Sequence, residues 1–282
     1  MKFLFSLFTL MNLFAPVLSQ DKYEYRGFLL DTAGKFFPVS SVKQILDYMS
    51  TGDLNVLHMQ FSNNDTFSMQ WDHNSGIMNE LSSLDGKFYK TEEMVEIVQY
   101  ASTLGIQVIH EFDIPGNAGC WNEPYPQIMK AGTTTQLDMN NPNTYSLLHK
   151  LYLDMDPVFE TAEYIHFGHS DTAVEAKDYV NSLSYIFNEA KNYSKDSIIW
   201  SDPIIGKKIK QPKCKPFIVQ IWENEAALYE NLELEYKTLV SLQDYFYFGA
   251  EKMPSEFEFP DNEEIVGFEL VWFTSEDDDD DV

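Results

Sequence analysis

Residues 105–116 read GIQVIHEFDIPG. Ile106, Val108 and Ile109 lead into His110, Glu111 and Asp113, and Pro115-Gly116 ends the run. A β-branched segment with its ionisable residues gathered at the C-terminal end has the pattern of a parallel strand with a site above it. Seven further strand-like runs recur along the chain: 24–31 (EYRGFLLD), 54–61 (LNVLHMQF), 164–169 (YIHFGH), 197–202 (SIIWSD), 217–222 (FIVQIW), 238–243 (TLVSLQ) and 265–272 (IVGFELVW). Several are near-continuously apolar and do not alternate, as expected of parallel strands covered on both faces.

Helical patterns separate these runs. In 40–49 (SSVKQILDYM), Ser40 or Ser41 can cap, and Val42, Ile45, Leu46 and Met49 share one face. In 91–104, opened by Thr91-Glu92-Glu93, one stripe holds Met94, Ile97, Val98 and Ala101. Residues 143–154, 172–191 and 223–233 are further helical candidates. Eight strands alternating with helices in 282 residues predict a closed (β/α)₈ TIM barrel. An open doubly wound sheet also alternates, but no glycine-rich strand-to-helix turn follows the first strand. After 265–272 the sequence runs into six consecutive acids, Glu276 to Asp281, so a closing eighth helix is expected to be missing or supplied by something else.

The remaining composition sets the class. MKFLFSLFTLMNLFAPVLSQ carries one early Lys and then an apolar run, with Val17 and Ser19 at the small-residue positions of a cleavage site. It reads as a secretory signal peptide over 1–19, with a buried N-terminal strand or an uncleaved anchor as the other reading. The expected organisation is that leader, a barrel over 20–274 and an acidic disordered tail over 275–282. No later stretch is long and apolar enough for a membrane helix. Two sequons, Asn64-Asp65-Thr66 and Asn192-Tyr193-Ser194, fit a secretory or lysosomal-lumen route. A net charge of −26 argues against nucleic acid or an anionic membrane as partner. The two cysteines, Cys120 and Cys214, fall at opposite ends of the expected barrel and are read as unpaired.

At the C-terminal ends of these runs the sequence resembles family 20 glycoside hydrolases, the β-N-acetylhexosaminidases. Tyr25-Arg26-Gly27-Phe28-Leu29-Leu30-Asp31-Thr32-Ala33 is similar to the family's opening strand. Leu54 to His58 is similar to its second strand, 105–116 to its third-strand signature, and Tyr164 to Gly168 to the approach to its catalytic pair. The resemblance spans roughly residues 24–276, and the smaller α/β domain that usually precedes the barrel is expected to be lacking. It implies a retaining reaction in which the substrate's own N-acetyl oxygen attacks the anomeric carbon, with an Asp orienting the acetamido group and a neighbouring Glu as acid. It also implies a terminal β-linked N-acetylhexosamine as the sugar recognised, pairing into a homodimer, and neither cofactor nor metal.

Carried over residue by residue, the resemblance keeps the sugar-binding frame: Arg26 for the outer hydroxyls, Tyr247 for the N-acetyl oxygen, and Trp200, Trp222 and Trp272 as the enclosing aromatics. Plain core packing is the competing reading for the tryptophans, and a core ion pair with Glu111 or Asp113 for Arg26. The ionisable machinery departs from the pattern. His169-Ser170-Asp171 stands where the family has Gly-Asp-Glu, so either Ser170 and Asp171 replace the pair or Asp171 keeps the Asp role and Thr172 replaces the acid. Met59-Gln60 replaces a tryptophan-histidine step, Asn63-Asn64 an acidic pair, Asn117 a histidine, Gly249 an acid and Gly34-Lys35 an Arg-His pair. Losing a general acid lowers a rate by about 10²–10⁴, so hydrolysis is expected to be weak or lost. The rival expectations are a working hexosaminidase that uses Asp171, helped by His169, and an interaction protein that keeps only the scaffold. His58 and His166 are expected inside the barrel, hydrogen-bonded and structural, and Glu111 and Asp113 to hold it together. A metal grouping of His58, His110 and Asp113 fits no ligand spacing.

Overall fold

The computed structural model of the chain describes residues 22–71, 76–81, 86–168, 176–201 and 217–274, with the backbone alone for 176–180. Eight parallel strands close into a barrel in chain order: β1 (Tyr25–Asp31), β2 (Val56–Gln60), β3 (Gln107–Ile114), β4 (Tyr164–Gly168), β5 (Asp196–Trp200), β6 (Phe217–Ile221), β7 (Thr238–Val240) and β8 (Ile265–Trp272). Pairing of Tyr25 with Gly267 and of Leu30 with Trp272 seals β1 to β8, which excludes the open sheet. The leader, Cys214, Ser170, Asp171 and the acidic tail lie outside the described residues.

Helices α1 (Val39–Thr51), α2 (Ile77–Glu80), α3 (Thr91–Thr103), α4 (Pro142–Met155), α5 (Ala176–Asn192), α6 (Glu225–Glu233) and α7 (Gln243–Phe246) connect the strands. Helix α1 buries Val42, Ile45, Leu46 and Met49, the face its spacing predicts. The α3 stripe packs through Met94, Ile97 and Ala101, with Val98 at its half-buried margin. At the start of α3 the Lys90 N–H donates to Glu93 Oε2 at 2.8 Å, satisfying one of the donors a helix leaves open at its first turn. Aromatic rings cover β8. Phe246, Phe257 and Phe259 cluster with one another, and Phe246, Phe259 and Tyr23 pack on Phe268.

Side chains alternate between the barrel interior and the helical shell. A layer of polar groups crosses the interior at mid-height. Glu269 (β8) receives the Tyr25 (β1) hydroxyl at 2.5 Å and the Gln220 (β6) amide at 2.7 Å, and lies 3.1 Å from His58 (β2) Nδ1. Glu111 (β3) lies 3.0 Å from His58 Nε2 and 3.3 Å from His166 (β4) Nδ1, and accepts the Trp200 (β5) indole N–H at 2.8 Å. Gln220 also donates to Ser241, just past β7. Burial disfavours charge on His58, but Glu269 and Glu111 override it and raise its pKa from 6.5 to about 9. Burial alone would raise the Glu111 carboxyl; His166 and His58 hold it well below the usual carboxylate range. Gly27 is required where it stands, because a Cβ there would lie 2.4 Å from the Tyr25 ring and 2.8 Å from Glu269.

His110 points the other way, into the shell between Phe112, Tyr152 and Phe159. Burial, with Lys195 and His58 adding to it, lowers its pKa to about 3. The imagined grouping of His110 with His58 and Asp113 is therefore not formed, since adjacent strand residues face opposite sides. Cys120 is a free, buried thiol, its pKa pushed up to about 12 chiefly by burial.

Two outcomes follow for stability. Glu111→Gln leaves His58 only one of its two buried carboxylates, takes the anion from His166, and should lower unfolding free energy by about 3–5 kcal/mol in urea titrations at neutral pH. A loss below about 1 kcal/mol would contradict the role given to the pair. The His58 contribution is complete below pH 6.5 and drains away as pH rises through about 9. His110, neutral in the fold, takes stability away as pH falls from 6.5 toward about 3. His110→Leu should flatten the acid limb of a midpoint-versus-pH curve and leave the alkaline limb in place.

Candidate functional site

A cavity of about 480 Å³ opens at the C-terminal end of the barrel, lined by Asp31, Gln60, Asn63, Asn64, Asp65, Asp113, Asn117, Trp200, Trp222, Tyr247 and Phe273. This is the end where a parallel barrel presents its loops, and the volume lies within the usual range for small-molecule sites. Trp200, Leu29 and Val271 form an apolar cluster against which Trp222 and Tyr247 pack. Phe273 leans on Trp200 and Tyr247, with ring centroids 6.2 and 5.7 Å away. Trp222 is set by its neighbour: Glu223 Oε2 accepts the Trp222 backbone N–H at 3.3 Å and the Ser201 hydroxyl at 2.5 Å.

Carboxamides and carboxylates share the rest of the cavity lining. Gln60 follows His58 at the same strand parity and so points up the barrel axis into the cavity. Asn63 Oδ1 accepts the backbone N–H groups of Asp65 and Thr66 at 2.9 and 2.8 Å, an Asx turn that presents Asn64 and Asp65 at the rim. Asn64 Oδ1 in turn accepts the Gly119 N–H at 3.2 Å. Asn117 adopts φ 51°, a conformation asparagine tolerates better than most residues, and donates to Asp113 Oδ2 at 3.2 Å. Asp31 is buried, which raises its pKa to about 6 even though it accepts N–H groups from Gly34, Thr274 and Ala33. Its bonds to Thr274 tie the end of β1 to the chain leaving β8. Gly168 has φ 65°, and a Cβ there would lie 2.4 Å from Asp113, so the Gly168 backbone passes directly against this cavity-lining residue.

The structure gathers Trp200, Trp222 and Tyr247 in one cavity and leaves out two residues expected beside them. Arg26 has the wrong parity: Tyr25, Gly27, Leu29 and Asp31 face inward, and Arg26 faces the shell near the strand's opposite end. There its Nε donates to Asp53 O at 2.6 Å and its Nη1 to Tyr23 O at 2.7 Å, so it neither lines the cavity nor pairs with Glu111 or Asp113. Trp272 fails for the same reason. It packs outward on Phe37 and Phe248, and the adjacent Phe273 takes the cavity wall. Parity counted forward from Glu269 reaches Phe273, and counted back from Asp31 it excludes Arg26. His58, Glu111 and His166 bring ligand-type atoms within 4.8 Å of one another, but these are already engaged in the polar layer beneath the cavity.

Residues 23–182 match the glycosyl hydrolase family 20 catalytic domain. The chain belongs to glycosyl hydrolase family 20. It is 27% identical over 257 residues to a beta-hexosaminidase subunit A2 of Dictyostelium discoideum, covering 83% of this chain and 46% of that one. Against the beta-hexosaminidase subunit beta of Mus musculus it is 24% identical over 258 residues, covering 80% of this chain and 46% of that one. The chain thus spans about half the length of these family 20 relatives. Solved family 20 structures share its fold. The β-N-acetylhexosaminidase of Streptomyces coelicolor superposes with a TM-score of 0.75 at 18% identity, over 89% of this chain and 59% of that one. The Vibrio harveyi exo-β-N-acetylglucosaminidase bound to N-acetylglucosamine gives 0.73 at 16% identity, over 89% and 50%.

The parity assignment is testable without any ligand. Trp272→Ala should lower stability by about 3–5 kcal/mol, the usual effect of emptying a buried aromatic site. Phe273→Ala, on the open wall, should change it by less than about 1 kcal/mol. Urea unfolding of both variants measures this, and equal losses would contradict the assignment.

Proposed function

We propose that this family 20 protein is secreted or lumenal and recognises a terminal β-linked N-acetylhexosamine, with hydrolysis weak or lost. The observation that carries the reading is the cavity lining. Trp200, Trp222, Tyr247 and Phe273 give apolar faces of the kind a pyranose ring stacks on, and Gln60, Asn63, Asn64 and Asn117 offer hydroxyl-matching donors and acceptors. Resemblance to the family implies ionisable groups at several of these carboxamide positions. A carboxamide binds hydroxyls well but neither gives nor takes a proton near neutral pH. At Ser170-Asp171, where the family pattern has its Asp-Glu pair, one of the two carboxylates is gone or shortened.

Turnover needs an acid in reach of the leaving oxygen, and a displacement of about 1 Å can lower a rate about 10²-fold. Together with the lost acid, about 10²–10⁴, this leaves little of an enzyme's advantage. The scaffold-only reading is disfavoured because two of the three tryptophans, with Tyr247, line an open cavity.

Release of a chromogenic aglycone from an N-acetyl-β-glucosaminide by the purified chain, with Asp171→Asn beside it, tests the proposal. The expected rate is at least about 10²-fold below a family 20 hydrolase assayed in parallel, and unchanged by the substitution. Brisk turnover abolished by Asp171→Asn would overturn it and make Asp171 the acid.

A further inference from the structure

One of the chain's two sequons, Asn64-Asp65-Thr66, lies on the rim of the candidate site itself. Asn64 is exposed and lines the cavity together with the aromatic residues Trp200, Trp222, Tyr247 and Phe273. We propose that Asn64 carries an N-linked glycan and that the base of this glycan covers the cavity mouth, so the protein's own sugar competes with outside ligands. The inference rests on the secretory, sugar-binding reading given above. The modification joins Asn64 Nδ2 to the anomeric carbon of a lipid-pyrophosphate-linked oligosaccharide supplied by the secretory pathway. The carbon–oxygen bond to phosphate breaks, Nδ2 gives up one proton and the lipid pyrophosphate leaves.

The local geometry accommodates the product. The folded loop engages Asn64 through Oδ1, which accepts the Gly119 N–H at 3.2 Å, and a glycosylated asparagine keeps that oxygen as an acceptor. Gly119 sits so close that a Cβ there would meet Asn64 O at 2.3 Å, which fixes the rim and limits where the attached sugar can swing. The sequon hydroxyl gives the order of events. Thr66 Oγ1 is buried and donates to Ala33 O at 2.6 Å, so the triplet is open to modification only before the loop closes on β1. The asparagine-linked N-acetylglucosamine is internal, joined to the protein at its anomeric carbon and to the rest of the glycan beyond it, so it competes by covering the mouth and not by entering as a terminal residue.

The test uses the full chain carrying Asn192→Gln, so that Asn64 is the remaining sequon, made both in a secretory eukaryotic host and in bacteria. Peptide mass mapping should find Asn64 occupied in the secreted chain. That form should resist endoglycosidase while native and yield when denatured. N-acetylglucosamine should quench the tryptophan fluorescence of the bacterial form at least about tenfold more tightly than that of the glycosylated one. A secreted chain with Asn64 bare overturns the proposal, as does a glycan removed equally fast from native and denatured protein. If the unglycosylated form binds no sugar at all, the sugar-site reading fails separately, and the endoglycosidase comparison still decides whether the glycan covers the cavity.

Discussion

The barrel depends on two carboxylates that never meet water. Glu111 and Glu269 lie at its centre, and through His58, His166, Trp200, Gln220, Tyr25 and Ser241 they reach every strand or the residue just beyond it. A buried charge without a partner is ruinous, whereas a fully partnered one fixes which residues must face inward. That constraint sets the parity of β1, β2, β3 and β8, and parity decides what stands one layer higher. Gln60 rises into the cavity because His58 is held below it, and Phe273 because Glu269 is.

Trp200 couples the layer to the site. Its indole N–H is spent on Glu111 at 2.8 Å, while its ring forms part of the cavity wall. The aromatic wall is thus anchored in the polar core, and it has no need of a ligand to organise it. Around it, the carboxamide rim is held by backbone bonds of its own at Asn63 and Asn64. The pocket is thus preformed, with carboxamides and the carboxylates of Asp31, Asp65 and Asp113 set beside its aromatic faces.

Most of the fold was legible in the sequence because its strands are short, apolar and evenly separated, and a closed parallel barrel leaves few other ways to bury them. The aromatic cover of β8 was not, since Phe246 lies outside the stretch that holds Phe257 and Phe259 and nothing in the local spacing brings them together. At the site, Trp200, Trp222 and Tyr247, singled out by motif resemblance, lie in the cavity lining. Arg26 and Trp272 were misplaced because a motif match carries residue identity but not side-chain direction, and a one-residue step along a strand reverses the face. Asp31, Asp65 and Phe273 were missed for the same reason in reverse: nothing in their residue type announces them.

In the proposed function a sugar sits in the cavity against Trp200 and Trp222. Titration of N-acetylglucosamine into unglycosylated protein, followed by tryptophan fluorescence, addresses it directly. A saturable change that disappears in Trp222→Ala is the predicted result. A signal that stays flat through millimolar sugar, or one that saturates identically without Trp222, would contradict it.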